Sequence, residues 1–232
     1  LVYNLANPDK PVVALISSLP LDGDPALQYR PWQVMEQLKQ FFDVRTQAGD
    51  VDAIDPAAKL LLIVHPQNLS EKTLYAIDQF VLKGGKALVL VDPNSEAQQA
   101  RQNPQQGPTD TSSTLGKLFD AWGIAYDKDK VVGDPRYARQ VQFPVGGRQQ
   151  VIDYLAWLSL DGAALNQEQV TTAELNRLNF QSAGALAPAD KATTTFTALA
   201  TTSPDAELFS ADEVRFYPDP MKIASEYKSG GK

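Results

Sequence analysis

The chain has 232 residues, of which 43% are hydrophobic, and these values suit one large domain or one domain with a smaller appendage. It carries 21 Lys and Arg residues against 28 Asp and Glu residues, a net charge of -7, and no basic stripe, so we expect no nucleic-acid partner. It contains no cysteine, which excludes thiol catalysis, thiolate metal sites and disulfide bonds. That composition is compatible with an oxidising compartment.

The longest apolar runs, at 60–64 and 87–91, are far shorter than the roughly 18 residues that a membrane-spanning helix requires. The sequence begins at Leu1 without an initiator methionine or a signal peptide, and it ends in a polar stretch at 229–232. We therefore expect the chain to be a piece of a longer protein.

The first half of the sequence predicts alternating strands and helices. Continuous apolar runs indicate buried parallel strands at 12–17, 60–64 and 87–91, with a short strand at 42–47. This order is typical of a parallel, doubly wound sheet.

Two helices are predicted between these strands. The first follows Pro31, and its expected apolar face consists of Val34, Leu38, Phe41 and Phe42. The second covers 71–83 after the N-cap Ser70 and ends at Gly84-Gly85, and its expected buried face consists of Leu74, Ile77 and Val81.

Residues 94–112 are rich in Gln, Pro and Gly and show no apolar period. We expect this segment to be a mobile loop that a protease cleaves first, after Arg101, because it has little apolar surface to offset the entropy of ordering. A helix is predicted next, over 113–122.

The second half predicts short strands, several of them antiparallel, separated by turn signals. These strands are 124–132, 137–143, 151–160, 178–186, 196–202 and 206–209. Only 167–177, with Thr171 or Thr172 as its N-cap, is predicted to be helical. We expect an α/β core over 1–125, a β-rich extension over 126–215 that packs on or completes the core, and the polar tail of a truncated chain over 216–232.

Polar side chains at strand ends are the first candidate site, because ligands of open parallel sheets bind beyond the carboxyl ends of the strands. Ser17 and Ser18 follow the first strand, His65 follows the second long run, and Asp92 follows the third. None of them belongs to a nucleophile elbow or a glycine-rich phosphate loop. We name them as ligand-binding candidates and name no catalytic residue, since turns and structural hydrogen bonds explain each of them as well.

Two further groups offer binding chemistry. Arg136 and Arg139 flank Tyr137 and form a basic-aromatic cluster that suits an anionic ligand, although a solvated strand face is the favoured interpretation. The three tryptophans suit a carbohydrate groove; burial is favoured for Trp32 and Trp122, and exposure for Trp157. We expect no metal site, because no Asp-x-Asp loop with the required spacing accompanies the single histidine, and we expect no cofactor.

Taken in order, these segments resemble the extracytoplasmic domain of the gliding-motility-type (GldG-like) auxiliary components of ABC transporters. The resemblance covers nearly the whole chain. It lies in the order and spacing of short apolar motifs, each of which has low specificity by itself. The matching pieces are 12–17, Phe42-Asp43-Val44, the unit 60–93 with Gly84-Gly85-Lys86, 115–124, 178–186 and Thr201-Thr202-Ser203-Pro204.

This resemblance implies a flavodoxin-like or class I glutamine amidotransferase-like parallel sheet with helices on both faces, plus a β-rich C-terminal extension. It implies a periplasmic position on the extracytoplasmic face of the cytoplasmic membrane, flanking membrane helices that are absent from this chain, and ABC permease and ATPase subunits as partners. Amidotransferase relatives carry a Cys nucleophile after the strand that ends here at Val91, where this chain has Asp92-Pro93.

The lost cysteine favours a non-catalytic role in ligand capture or in assembly with the transporter subunits. A small molecule or a saccharide stays open as the ligand. Two alternatives also stay open: a divergent amidotransferase-fold hydrolase that uses Asp92, Ser17 or His65, and a carbohydrate-binding module that presents Trp157 and neighbouring tyrosines.

Overall fold

The computed structural model describes residues 9–24, 29–102, 109–215 and 218–227. The chain divides into two compact units. The first consists of Leu1–Val91 and Ser113–Leu118, and the second consists of Asp92–Ser112 and Phe119–Lys232. This division differs from the domain boundary that we predicted after residue 125.

The first unit is built on a four-stranded parallel sheet. Its strands are β1 (Val12–Ser17), β2 (Asp43–Thr46), β3 (Ala58–Val64) and β4 (Lys86–Leu90), in the order β2-β1-β3-β4. Every neighbouring pair is parallel. The predicted α/β class and the adjacency of the three long apolar runs are therefore confirmed.

Helix α1 (Gln33–Phe41) covers one face of this sheet through a stripe that agrees only in part with the one predicted. The buried Met35 packs with Val13, Leu15 and Leu62 in one cluster. Val34, which we placed on the buried face, is exposed, as is Phe41. The prediction was wrong for these two residues and right for Leu38 and Phe42, which pack against this cluster, because the stripe that faces the sheet runs through Met35, Leu38 and Phe42.

Helix α2 (Glu71–Leu82) begins as predicted, with the Ser70 hydroxyl accepting a hydrogen bond from the Thr73 backbone N–H at 3.3 Å. It ends before Gly84, whose φ of 88° is the left-handed conformation that favours glycine. Ile77 is fully buried, as predicted, whereas Leu74 and Val81 are only half-buried.

Strand β4 is less buried than its apolar sequence suggests. It is the last strand in the order of this sheet, and its Leu88 and Leu90 are each 49% exposed. Our prediction of a buried strand was wrong here, because a continuous apolar run does not by itself distinguish a strand that is covered on both faces from an edge strand.

Residues 94–112 were predicted to be mobile, and this is wrong for both described ends of the segment. Ser95 caps the short helix α3 (Glu96–Gln99), and the buried Asn94 accepts a hydrogen bond from the Thr111 hydroxyl at 2.7 Å. Polar side chains order the segment through mutual hydrogen bonds, which apolar periodicity does not report. Residues 103–108 lie outside the described residues, and cleavage after Arg101 stays a prediction.

The described residues of the second unit form three small antiparallel sheets, which confirms the β-rich character that we predicted for this part. Their strand orders are β7-β8-β9, β10-β5 and β11-β6. The strands are β5 (Ile124–Tyr126), β6 (Lys130–Gly133), β7 (Ala138–Val145), β8 (Arg148–Asp161), β9 (Arg177–Gln181), β10 (Leu186–Pro188) and β11 (Glu207–Ser210). The helices from α3 onward are α4 (Lys117–Trp122), α5 (Asp212–Arg215) and α6 (Pro220–Glu226).

Two predicted elements of this half are absent from the described residues. The predicted helix at 167–177 is a series of turns, in which the buried Thr172 hydroxyl donates to the Asn166 carbonyl at 2.7 Å instead of capping a helix. The predicted strand at 196–202 is reduced to one isolated bridge between Ala200 and Leu165.

The core of the second unit includes two clusters. One joins Val131, Tyr154 and Ala156 to Ile223 of α6, within the segment that we expected to be a polar tail. The other is formed by Val132, Tyr137, Leu158, Leu160, Ala164 and Leu165. No helix of the described ranges has both the length and the apolar content needed to cross a bilayer.

Candidate functional site

Ser17 and Ser18 lie at the carboxyl end of β1, and both hydroxyl groups support turns. The Ser17 hydroxyl donates to the Leu19 carbonyl at 2.9 Å and accepts from the Leu19 N–H at 3.0 Å. The Ser18 hydroxyl accepts from the Gln67 N–H at 3.0 Å. These contacts favour the turn-forming interpretation for both serines.

His65 follows β3 at the same edge of the sheet and is only 1% exposed. Its φ of 50° is unusual for a residue other than glycine, and its backbone N–H donates to the Leu90 carbonyl at 2.8 Å. The first unit thus brings Ser17, Ser18 and His65 to one edge, where the imidazole is enclosed rather than open to a substrate.

Asp92 is the first residue of the second unit, and a second carboxylate, Glu96, lies near it. Burial, together with the negative charge of Glu96, raises the pKa of Asp92 to about 6. This carboxyl group therefore changes its charge close to neutral pH, which an ordinary surface aspartate does not do.

Glu96 is the centre of a side-chain cluster in the second unit. One oxygen, Oε1, accepts hydrogen bonds from Trp157 Nε1 at 2.8 Å and from the Ser182 hydroxyl at 2.7 Å. Ser182 is fully buried and has a φ of 48°. Trp157 is half-buried, so our expectation that it is exposed was wrong. We call Asp92, Glu96, Tyr154, Trp157 and Ser182 the Glu96 cluster.

Two phenol groups border these carboxylates. Burial and the charge of Glu96 raise the pKa of Tyr154, whose ring centroid lies 5.5 Å from that of Trp157. Burial and the charge of Asp92 raise the pKa of Tyr126. The buried Tyr126 hydroxyl has no hydrogen-bond partner among the described residues. Both phenols stay neutral at physiological pH.

Arg215 of α5 joins the loops around this cluster, and the sequence analysis did not select it. Its side chain is only 13% exposed. Nη2 donates to the carbonyl oxygens of Pro93 at 2.8 Å and Lys128 at 3.0 Å, and Nη1 donates to Asp212 at 3.2 Å. Arg215 thereby joins three chain segments by charge-assisted hydrogen bonds to two carbonyl oxygens and one carboxylate.

Arg136 and Arg139 have different neighbours in the structure. The Arg136 guanidinium lies 5.5 Å from the centre of the Tyr137 ring, and Arg139 pairs with Tyr154 across the β7-β8 ladder. Beside them, the fully buried Asp134 carboxylate accepts hydrogen bonds from the Arg136 N–H at 2.9 Å and from the Ser203 hydroxyl at 2.8 Å. The Asp134 carboxylate thereby joins the loop that contains Arg136 to the loop that contains Ser203.

A groove is present in the first unit and a cavity in the second. The first unit has an open groove of about 740 Å³ between α2 and residues 52–59, at the amino ends of β3 and β4. The second unit has a cavity of about 270 Å³ between β11 and α6. Within the ranges that the structure describes, no group of three or more His, Asp or Glu side chains is arranged to hold a metal ion.

The residues that sequence reasoning missed are joined over long distances in the chain. Glu96 and Trp157 are 61 positions apart, and Arg215 and Pro93 are 122 positions apart. Glu96 also stands in the glutamine-rich stretch that lacks an apolar period. The one local signal was the Ser95 N-cap with acidic Glu96 in the first turn.

A family model described as ABC-type uncharacterized transport system matches residues 10–232. No curated protein and no solved structure matches the chain. The match covers both compact units and nearly every described residue.

Proposed function

The chain belongs to the ABC-type uncharacterized transport system family, and from this membership we propose that it is a non-catalytic auxiliary component of an ABC transporter. We further propose that it works on the extracytoplasmic face of the membrane, by capturing a ligand or by assembling with permease and ATPase subunits. The family match over residues 10–232 is the observation that carries the proposal. In its narrower form, the proposal assigns the chain to the gliding-motility type of these auxiliary components.

The candidate residues support a non-catalytic role. Amide hydrolysis of the amidotransferase type needs a nucleophile on a strained turn, a base within hydrogen-bond reach and oxyanion donors. The chain has no cysteine, and the Ser17 hydroxyl is engaged with Leu19. Asp92 is followed by Pro93, which has no backbone N–H to donate to an oxyanion, and His65 is enclosed.

The groove of the first unit supports ligand capture or partner contact. Its volume of about 740 Å³ falls in the range of small-molecule sites, roughly 300 to 1,000 Å³. The exposed Tyr75 offers a flat apolar surface, and Gln79 and Lys83 offer hydrogen-bond donors on the same helix flank. This groove lies at the amino ends of the strands, away from the edge that holds Ser17 and His65.

The two alternatives differ in support. The interpretation as a carbohydrate-binding module is weakened, because Trp157, the side chain expected to stack on a sugar, is half-buried and hydrogen-bonded to Glu96. The divergent hydrolase keeps one supporting observation, since a carboxyl group with a pKa of about 6 at Asp92 suits general acid-base chemistry.

Site-specific photo-crosslinking in cells tests the proposed partnership. The full-length protein carries a photoreactive amino acid at one exposed position, Tyr75 in the groove or Val170 in the second unit. We expect adducts with a permease or ATPase subunit from at least one position, and none in cells that lack those subunits. Adducts with neither subunit from a full set of exposed positions would contradict the proposal.

A further inference from the structure

The groove of the first unit has an apolar floor. It is lined by the buried Ile54 and Ala76, by the half-buried Phe80 and by the exposed Tyr75. Gly85 lies so close to the Phe80 ring that a Cβ atom at this position would overlap the ring. The backbone thus holds Phe80 in place, and a flat apolar group can pack on it with little further loss of side-chain freedom. The floor suits the aromatic part of a ligand.

Two lysine side chains border this floor from the two facing walls. Lys59 belongs to the start of β3, and Lys83 follows the last turn of α2. Both are exposed, and neither ammonium group has a hydrogen-bond or ion-pair partner within the described part of the chain. Each of them is therefore available to a negatively charged group in the groove.

The acidic side chains of the same region already have cationic partners. Asp52, which lines the groove, is paired with Lys72, and Asp55 is paired with Arg45 at 2.9 Å. Lys72 and Arg45 lie outside the lining of the groove. Among the described residues, the groove thus carries two uncompensated positive charges, although the net charge of the chain is -7. This local reversal of sign favours an anionic ligand.

We propose that the groove binds a small organic anion, with a flat apolar body on Phe80 and a carboxylate or similar acid group bound by Lys59 and Lys83. This inference rests on the ligand-capture form of the proposed function and names the class of ligand. An ammonium group binds an acid group through charge-assisted hydrogen bonds, which are stronger than bonds between neutral groups. The groove volume of about 740 Å³ accommodates a molecule of this kind.

Helix stabilisation explains only one of the two lysines. A cation beside a helix C-terminus interacts favourably with the helix dipole, and this accounts for Lys83 after α2. Lys59 lies on a strand in the facing wall, where no helix end requires a cation. The two charges on opposite walls are what the proposed acid group explains together.

Gly84 makes binding in the groove observable. It lines the groove, and the step from Lys83 to Gly84 is the one place in the sequence where glycine follows lysine. Carbon-13 in the lysine carbonyl groups and nitrogen-15 in glycine therefore isolate the Gly84 amide resonance in a carbonyl-filtered NMR spectrum of the whole chain. We would titrate the chain with indole-3-acetate and with indole-3-acetamide, which has the same ring but no charge.

We expect indole-3-acetate to shift the Gly84 resonance saturably and to bind about fivefold more tightly than the amide. High salt should reduce this difference, because it screens partly exposed charges. The double variant Lys59→Gln with Lys83→Gln should bind both compounds equally. Lys86→Gln is the matched control, since it removes an exposed lysine at the start of β4 that does not line the groove, and it should retain the preference.

Equal affinity for the two compounds, a preference that the double variant retains, or no Gly84 shift with either compound would overturn the proposal. A Gly84 shift with an acidic peptide but not with indole-3-acetate would also overturn it, and would assign the groove to a segment of a partner protein. The proposed function fails separately. If transporter subunits do not co-purify with the full-length protein while Gly84 still selects the acid, the transporter role is wrong and the ligand class stands.

Discussion

The Arg215 guanidinium donates two hydrogen bonds to the carbonyl oxygen of Pro93, from Nη2 at 2.8 Å and from Nε at 3.3 Å. The same guanidinium donates to the Lys128 carbonyl at 3.0 Å. A carbonyl group that loses such a partner in a region closed to water bears a desolvation cost. Arg215 is therefore a structural centre of the second unit.

Replacing Arg215 by Met should lower the free energy of unfolding by about 2 to 4 kcal/mol, because it leaves the Pro93 and Lys128 carbonyl groups without their donor. Chemical denaturation measures the change. Arg148→Met, which removes an exposed arginine from the start of β8, is the matched control and should change stability by less than about 0.5 kcal/mol. Equal effects of the two substitutions would contradict the assigned role.

Ile77→Ala should cost about 2 to 5 kcal/mol, because Ile77 is fully buried and its truncation leaves a cavity. Leu82→Ala on the same helix is the control, since Leu82 is 70% exposed and should contribute little. A loss below about 0.5 kcal/mol for Ile77→Ala in urea melts would show that α2 does not bury this residue.

The raised pKa of Asp92 predicts the sign of one contribution to pH-dependent stability. The folded protein binds this proton more tightly than the unfolded chain does, so the contribution is fully present below about pH 3.8 and is lost as the pH rises through about 6. Asp92→Asn should therefore stabilise the protein at pH 7.5, by about 3 kcal/mol at most, and should have a much smaller effect at pH 4. Denaturation midpoints of wild type and variant at both pH values measure this. Destabilisation by Asp92→Asn at pH 7.5 is the contrary outcome.

The proposed absence of catalysis predicts no saturable glutaminase, esterase or amidase turnover. The matched variants are Asp92→Ala and His65→Ala. Each removes one of the side chains that the hydrolase alternative would use as a nucleophile or a base. Rates of all three proteins should equal those of buffer. Turnover by the wild type that either folded variant abolishes would establish the hydrolase alternative.

The sequence predicted the elements that depend on local patterns. The continuous apolar runs of β1 and β3 predicted buried strands. The Ser70 cap and Gly84 marked the two ends of α2. The pattern failed where two faces compete, as in α1, where Met35 rather than Val34 faces the sheet. It also failed at residues 167–177, where the Thr172 hydroxyl bonds to the Asn166 carbonyl.

The candidate site was predicted only in part. Asp92 was selected from its place after an apolar run, but its neighbour Glu96 was not. The Glu96 contacts come from Trp157 and Ser182, which are 61 and 86 positions away, and no period in the sequence carries that information. Long-range polar contacts depend on how loops fold over a sheet, and such geometry is set by the whole chain.

Co-purification is the most direct test that this chain is an auxiliary component of an ABC transport system. The tagged full-length protein would be solubilised from membranes in mild detergent, beside a variant that lacks residues 10–232 and an unrelated tagged membrane protein. We predict that a permease and an ATPase subunit co-elute with the full-length protein in fixed proportion, and that their yield falls when residues 10–232 are removed. Recovery of neither subunit above the level of the unrelated protein would contradict the account.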